Sequence, residues 1–136
     1  MAILSNGWGT GLSAKQKQSQ AWVLDPQVVS TETVAAGDGS SSAVALSTTS
    51  TVSFVTTATD STHVSLADGI TGQVKIIVHK TRSNSKNLVI TPANFAAGAT
   101  LTSDAASRSV TLLFDGTNWQ VIAGEITGTV EFAIGS

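Results

Sequence analysis

The stretch SVTLLFDGTNWQVIAG, residues 109–124, reads as a β-hairpin. Successive side chains of a strand point to opposite faces, so Val110, Leu112 and Phe114 share one face. Asp115-Gly116 supplies the turn, where glycine takes a positive φ at little cost. On the return strand Trp119, Val121 and Ala123 share a face, and Trp119 is placed to enter the same core as Phe114. Large apolar side chains on one side of a hairpin need a second layer to cover them, so the stretch predicts a packed all-β domain.

The sequence on either side repeats the pattern. Upstream, QVKIIVHK (73–80) separates Val74, Ile76 and Val78 from Lys75, Ile77 and His79 by strict alternation. TRSNSK is a polar, basic turn, and NLVITP (87–92) is a strand closed by Pro92. A loop carrying Phe95, with a buried character, leads to the short strand ATLTS (99–103). Nearer the N-terminus, QVVSTETV, AVALS, TVSFVTT and THVSL are short strands between Gly-, Ser- and Asp-containing turns such as AAGDGSSS. In TVSFVTT, Val52 and Phe54 share a face and Val55 interrupts the alternation. A final strand is expected in ITGTVEFAIG, around Val130, Phe132 and Ala133. Strands and turns at this spacing predict an antiparallel β-sandwich or barrel-like domain over residues 31–136.

Residues 1–30 differ. They hold Trp8 and Trp22, the glycine-rich GWGTG, and the polar run SAKQKQSQ, which offers Ser13 as a helix cap but no sustained apolar face. Asp25-Pro26 ends the pattern. We read an extended N-terminal arm with aromatic anchors. Chain termini order only when something ties them down, so the arm is expected to dock on a neighbour or on its own domain, with a partner the favoured site.

Composition bounds the function. Charged residues make up 12% of the chain, about half the usual share, and a surface this poor in charge suits contact with other proteins. There is no cysteine, which removes disulfides, thiolate metal sites and a cysteine nucleophile. The opening residues lack a basic region followed by a long apolar run, and no stretch approaches the ~18 apolar residues of a membrane span. The expectation is a soluble protein made in the cytoplasm, with no membrane partner. A net charge of −2 does not favour nucleic acid. The basic group Lys75, Lys80, Arg82, Lys86 and Arg108 lies between two acidic blocks. That segregation suits complementary subunit contacts, and equally suits a few solvated charges.

Catalytic signals are missing. His63 and His79 lie in separate strands with no carboxylate at a favourable spacing, so neither reads as a metal ligand or acid–base group. There is no GxSxG elbow, no calcium loop and no paired carboxylate motif. GWGTG lacks the lysine and the flanking strand and helix of a phosphate-binding loop. The expectation is a protein that is not an enzyme and needs no cofactor or metal. A small hydrolase would require a serine, a histidine and a carboxylate to converge in space.

Three elements within residues 69–124 carry a resemblance: GQVKIIVHK, NLVITPANFAAGATLT and SVTLLFDGTNWQVI. Together they resemble a β-module of tailed-phage virion proteins, and the resemblance spans about two-fifths of the chain. It implies a virion structural protein without saying which part of the virion. The short chain has no shaft repeat or coiled coil of the kind a fibre needs, and it has a distinct arm. Both favour a capsid decoration (cement) protein on the capsid surface over a head or tail fibre binding host glycan. The implied partners are the major capsid protein and further copies of the chain, most simply as a trimer. Candidate contact residues are Ile3, Leu4, Trp8, Leu12 and Trp22 in the arm and Lys80, Arg82 and Lys86 around the basic turn. In the glycan-binding alternative, Trp8, Trp22 or Trp119 supplies the stacking platform.

Overall fold

The fold is taken from a computed structural model, which describes residues 29–124 and 132–135. The expected arm therefore lies outside the described residues except for Val29 and Ser30, as does Val130. Among the described residues eleven strands form two sheets. The first sheet, sheet A, contains β1 (Thr31–Ala35), β4 (Val52–Thr57), β6 (Val74–Arg82), β9 (Arg108–Phe114) and β10 (Trp119–Ala123), in the order β1-β4-β6-β9-β10. The second, sheet B, contains β2 (Gly37–Asp38), β3 (Val44–Leu46), β5 (Ser61–Leu66), β7 (Leu88–Pro92), β8 (Thr100–Ser103) and β11 (Ala133–Gly135). Its order is β11-β8-β7-β5-β2, with β3 also paired to β5. The sheets pack face to face as an all-β sandwich.

The expected antiparallel arrangement is corrected in one half. β1 pairs with β4, and β4 with β6, in parallel. β3 pairs with β5, and β5 with β7, in parallel as well. Parallel neighbours cannot be joined by a tight turn and need a crossover of a dozen or more residues. Here the crossover is a strand of the opposite sheet: β5 lies between β4 and β6 in sequence, and β6 between β5 and β7. From β1 to β7 the chain thus winds as a flat coil, alternating between the sheets. After β7 it changes habit. β7 and β8 pair antiparallel, β9 returns antiparallel to β6, and β9–β10 is the antiparallel hairpin expected from the sequence. Each sheet is therefore mixed.

The core lies between the sheets. Sheet B contributes Leu46, Val64, Leu66, Leu88, Ile90 and Leu101, and sheet A contributes Val55, Ile77, Val110, Leu112, Phe114 and Trp119, all buried. Each fully buried aliphatic side chain contributes roughly 1.5–3 kcal/mol relative to exposure. In β4, Ser53, Val55 and Thr57 point inward, so Val55 obeys the alternation it was expected to interrupt, and Val52 and Phe54 point outward. In the hairpin, Trp119 stands opposite Phe114 as expected. A bulge between Val121 and Ala123 then shifts the register and leaves Ala123 exposed. Gly116 turns the hairpin at a φ of 104°, and Asp115 Oδ1 accepts the amides of Thr117 and Asn118, both at 2.8 Å. Gly37 serves a close approach, because a side chain there would strike the Ser42 carbonyl.

Candidate functional site

Three polar groups inside the sandwich deserve a functional test first. Lys75 is fully buried, facing the core from β6. Its ammonium has three protons and finds three acceptors: Ser47 O and Ser50 O, each at 2.7 Å, and Glu32 Oε1 at 3.4 Å. The same Glu32 oxygen accepts Ser47 N at 2.9 Å and the Ser53 hydroxyl. Burial pushes the Lys75 ammonium below the ordinary lysine range, and Glu32 opposes that shift. Every lysine donor is spent on the β3–β4 link and on β1. The group therefore ties successive turns of the coil together and presents nothing to a ligand.

His79 and Ser103 form a serine–histidine pair. His79 Nδ1 lies 3.0 Å from Ser103 Oγ, and Nε2 lies 3.2 Å from Thr57 Oγ1. Ser103 gives its one hydroxyl proton to Ala105 O at 3.0 Å. Thr57 Oγ1 also reaches Lys86 O at 3.2 Å and Thr81 O at 3.4 Å, so both ring nitrogens are tied into the core's own hydrogen bonds. The serine proton thus points away from the imidazole, the opposite of what an activated nucleophile requires. His79 and Ser103 are fully buried and Thr57 nearly so. Burial pulls the His79 pKa below its ordinary value, and the charge of Arg82 adds to this. The cluster holds a neutral imidazole in the core. His63, by contrast, is half-buried in β5 and takes Thr62 Oγ1 at 2.7 Å. Among the described residues no three His, Asp or Glu side chains are placed to hold a metal ion.

The candidate contact residues Lys80, Arg82 and Lys86 lie at the C-terminal end of β6 and in the turn that follows it. Arg82 turns back on its own loop and donates to Ser85 O at 2.6 Å, Asn87 Oδ1 at 2.9 Å and Lys86 O at 3.3 Å. It shapes the turn, in which Asn84 and Ser85 both take positive φ. Lys86 is exposed in that turn. Lys80 is exposed too, and its Nζ stands 5.8 Å from the centroid of the Phe54 ring. Ile3, Leu4, Trp8, Leu12 and Trp22 lie outside the described residues. Trp119 is fully buried and its Nε1 donates to Ala67 O at 3.1 Å, so it offers no stacking platform.

The distinctive surface is the outer face of sheet A. Because Ser53, Lys75 and His79 take inward positions, the aliphatic partners in their strands face out. Cross-strand register sets Val52 beside Ile76, Phe54 beside Val78, and Val74 beside Leu113. Ile122, 55% exposed, extends the patch onto β10, and Val74 is 38% exposed. The polar positions among them are Thr31, Thr33, Thr56, Ser109, Thr111 and Gln120, with Lys80 at the rim, and Gln120 donates to the Asp115 carboxylate at 2.6 Å. The outer face of sheet B is built differently, from His63, Ser65, Thr91, Thr100 and Thr102 with Val89. Both outer faces carry hydroxyls, and that of sheet A adds a row of aliphatic side chains on β4, β6 and β9.

The alternation of QVKIIVHK separated these two sets of side chains in sequence, but which set faces outward depends on the partners of Lys75 and His79. Those partners come from 22 to 43 residues away, so local reading missed this face. Among the described residues no helix is long and apolar enough to cross a membrane. No family model matches the chain, and no curated protein matches it.

Proposed function

We propose that the chain is a virion structural protein, a capsid decoration protein that binds the outside of an assembled phage shell and stabilises it. The observation that carries the reading is the row of aliphatic side chains on the outer face of sheet A, with Val74 and Ile122 exposed. A wall of Val, Ile, Leu and Phe with a lysine at its rim suits a broad protein contact and offers no pocket chemistry for turnover. The low overall charge and the resemblance of residues 69–124 to phage β-modules support the same reading. Repetition over a shell makes many modest contacts add up, and each contact formed only in the intact shell raises the cost of rupture. The arm residues Ile3, Leu4, Trp8 and Leu12 supply a second contact element. Self-association, most simply as a trimer, covers the remaining apolar surface and sheet edges.

The test is the copy number of the protein in purified virions, followed by shell binding of a Val74→Lys/Ile122→Lys variant. Decoration requires on the order of hundreds of copies and loss of binding in the variant. A few copies per virion would place the protein on a fibre instead, and absence from virions would reject the reading altogether.

A further inference from the structure

At the end of the sandwich where β4 and β6 finish stand two turns, 83–87 after β6 and 104–107 after β8. His79 connects them. Its Nε2 lies 3.2 Å from Thr57 Oγ1, which reaches Lys86 O at 3.2 Å in the first turn. Its Nδ1 lies 3.0 Å from Ser103 Oγ, which donates to Ala105 O at 3.0 Å in the second. The Ser107 amide, at a residue with a positive φ of 65°, donates to His79 O at 2.7 Å. The imidazole is fully buried, yet a single hydroxyl separates it from each turn, and most residues of both turns are exposed.

The proton count makes this chain of contacts responsive. Four links run from Lys86 O through Thr57, His79 and Ser103 to Ala105 O. A neutral imidazole and two hydroxyls supply three protons between them. A second ring proton would fill the fourth link. It would also put a full charge on a ring that solvent does not reach, and burying a charge without a counter-ion costs more than one hydrogen bond returns. The charged groups around the ring add to that cost. Arg82 acts on it from the end of its own strand. Arg108, the cross-strand partner of His79 on β9, acts on it too and is paired with Asp104. β4 and β8 present hydroxyls to the ring, those of Thr57 and Ser103, and Asp60 after β4 and Lys86 in the first turn are exposed. A protonated ring is therefore relieved by reaching water, and the two turns it holds stand between it and water.

We propose that His79 is an acid-sensitive latch: a second proton on its ring detaches turns 83–87 and 104–107 from the end of the sandwich while the opposite end stays folded. The opposite end is fixed without the histidine. There Phe114 N donates to Gln73 O and Trp119 N to Asn94 O, both at 2.9 Å, and the two rings pack in the core. Acid thus loosens one end of the domain before the whole domain unfolds. This inference does not depend on the virion reading.

Hydrogen exchange of the full chain between about pH 7.5 and about pH 5, corrected for the intrinsic pH dependence of exchange, tests the latch. The Lys86 amide, bonded to Ser83 O, and the Ser107 amide, bonded to His79 O, report the two turns. The Phe114 and Trp119 amides report unfolding of the whole domain. Both turn amides are expected to be about tenfold or more less protected than those two, because the turns open without global unfolding. Below pH 6.5 they are expected to lose protection by up to about tenfold per pH unit. In His79→Gln that pH dependence is expected to vanish. An NMR titration of the unaltered chain needs no variant: the His79 ring protons and the Ser107 amide proton are expected to shift with one midpoint. Turn amides as well protected as Phe114 and Trp119, protection that ignores pH, a loss that persists in His79→Gln, or separate midpoints would each overturn the inference.

Discussion

Phe114 and Trp119 face each other across the β9–β10 hairpin with ring centroids 5.1 Å apart and planes tilted by 60°. The separation lies in the range in which aromatic pairs attract, and the tilt avoids a face-to-face stack. The same indole donates to Ala67 O beyond the end of β5. One side chain therefore fixes the hairpin to itself and sheet A to sheet B. Trp119→Ala is expected to cost about 3–5 kcal/mol, read as a lower urea midpoint. Trp119→Phe is expected to cost less, because it keeps one ring in the core and loses the second ring and the indole N–H.

Lys75 and Glu32 form a pair whose removal depends on how it is done. Lys75→Ala leaves the Ser47 and Ser50 carbonyls and the Glu32 carboxylate without their cation, and is expected to destabilise by about 3–5 kcal/mol. Lys75→Met/Glu32→Gln replaces the pair with groups of similar volume and no net charge. Its unfolding midpoint is expected much closer to that of the unaltered chain. A double variant no better than Lys75→Ala would show that the ammonium–carbonyl contacts, and not the burial of charge, dominate.

His79 makes stability depend on pH. Its folded pKa lies below the unfolded value of 6.5, so the unfolded chain binds the proton more readily. The contribution is fully present above 6.5 and is lost as pH falls below it toward the folded value, by up to about 1.4 kcal/mol per pH unit. Arg82 and Arg108 act in the same direction, and the Ala105 carbonyl opposes them. Urea midpoints measured from neutral to mildly acid pH are expected to fall in the unaltered chain. In His79→Gln that part of the slope should disappear.

The outer face of sheet A should control association rather than folding. Val74→Lys/Ile122→Lys places charge at two exposed positions, where surface substitutions usually change stability by no more than about 0.5 kcal/mol each. Thermal midpoints are expected to stay close to the original. Sedimentation with purified shells is expected to carry down the unaltered chain and not the variant, while light scattering shows the same oligomer size for both. A variant that still sediments with shells would move the shell contact to another surface.

Alternation in Val74–Lys80, the Asp115-Gly116 turn and the order Phe114 to Trp119 are local properties, because a strand's period and a turn's φ depend on a few neighbouring residues. They were enough to read β-strands, the hairpin and an all-β class from the sequence by itself. The pairing of β1, β4 and β6 was not legible. Parallel partners lie 20–26 residues apart, and nothing in a short strand announces the direction of its neighbour. Nor did the sequence say which face of β6 would be buried. Taken alone, Val74, Ile76 and Val78 are better core residues than Lys75 and His79. The tertiary structure reversed that order by bringing Ser47, Ser50 and Glu32 to the lysine and Thr57 and Ser103 to the histidine. Only satisfied polar groups can be buried at tolerable cost, and once they were inside, the strand's two-residue period left the aliphatic side chains on the surface.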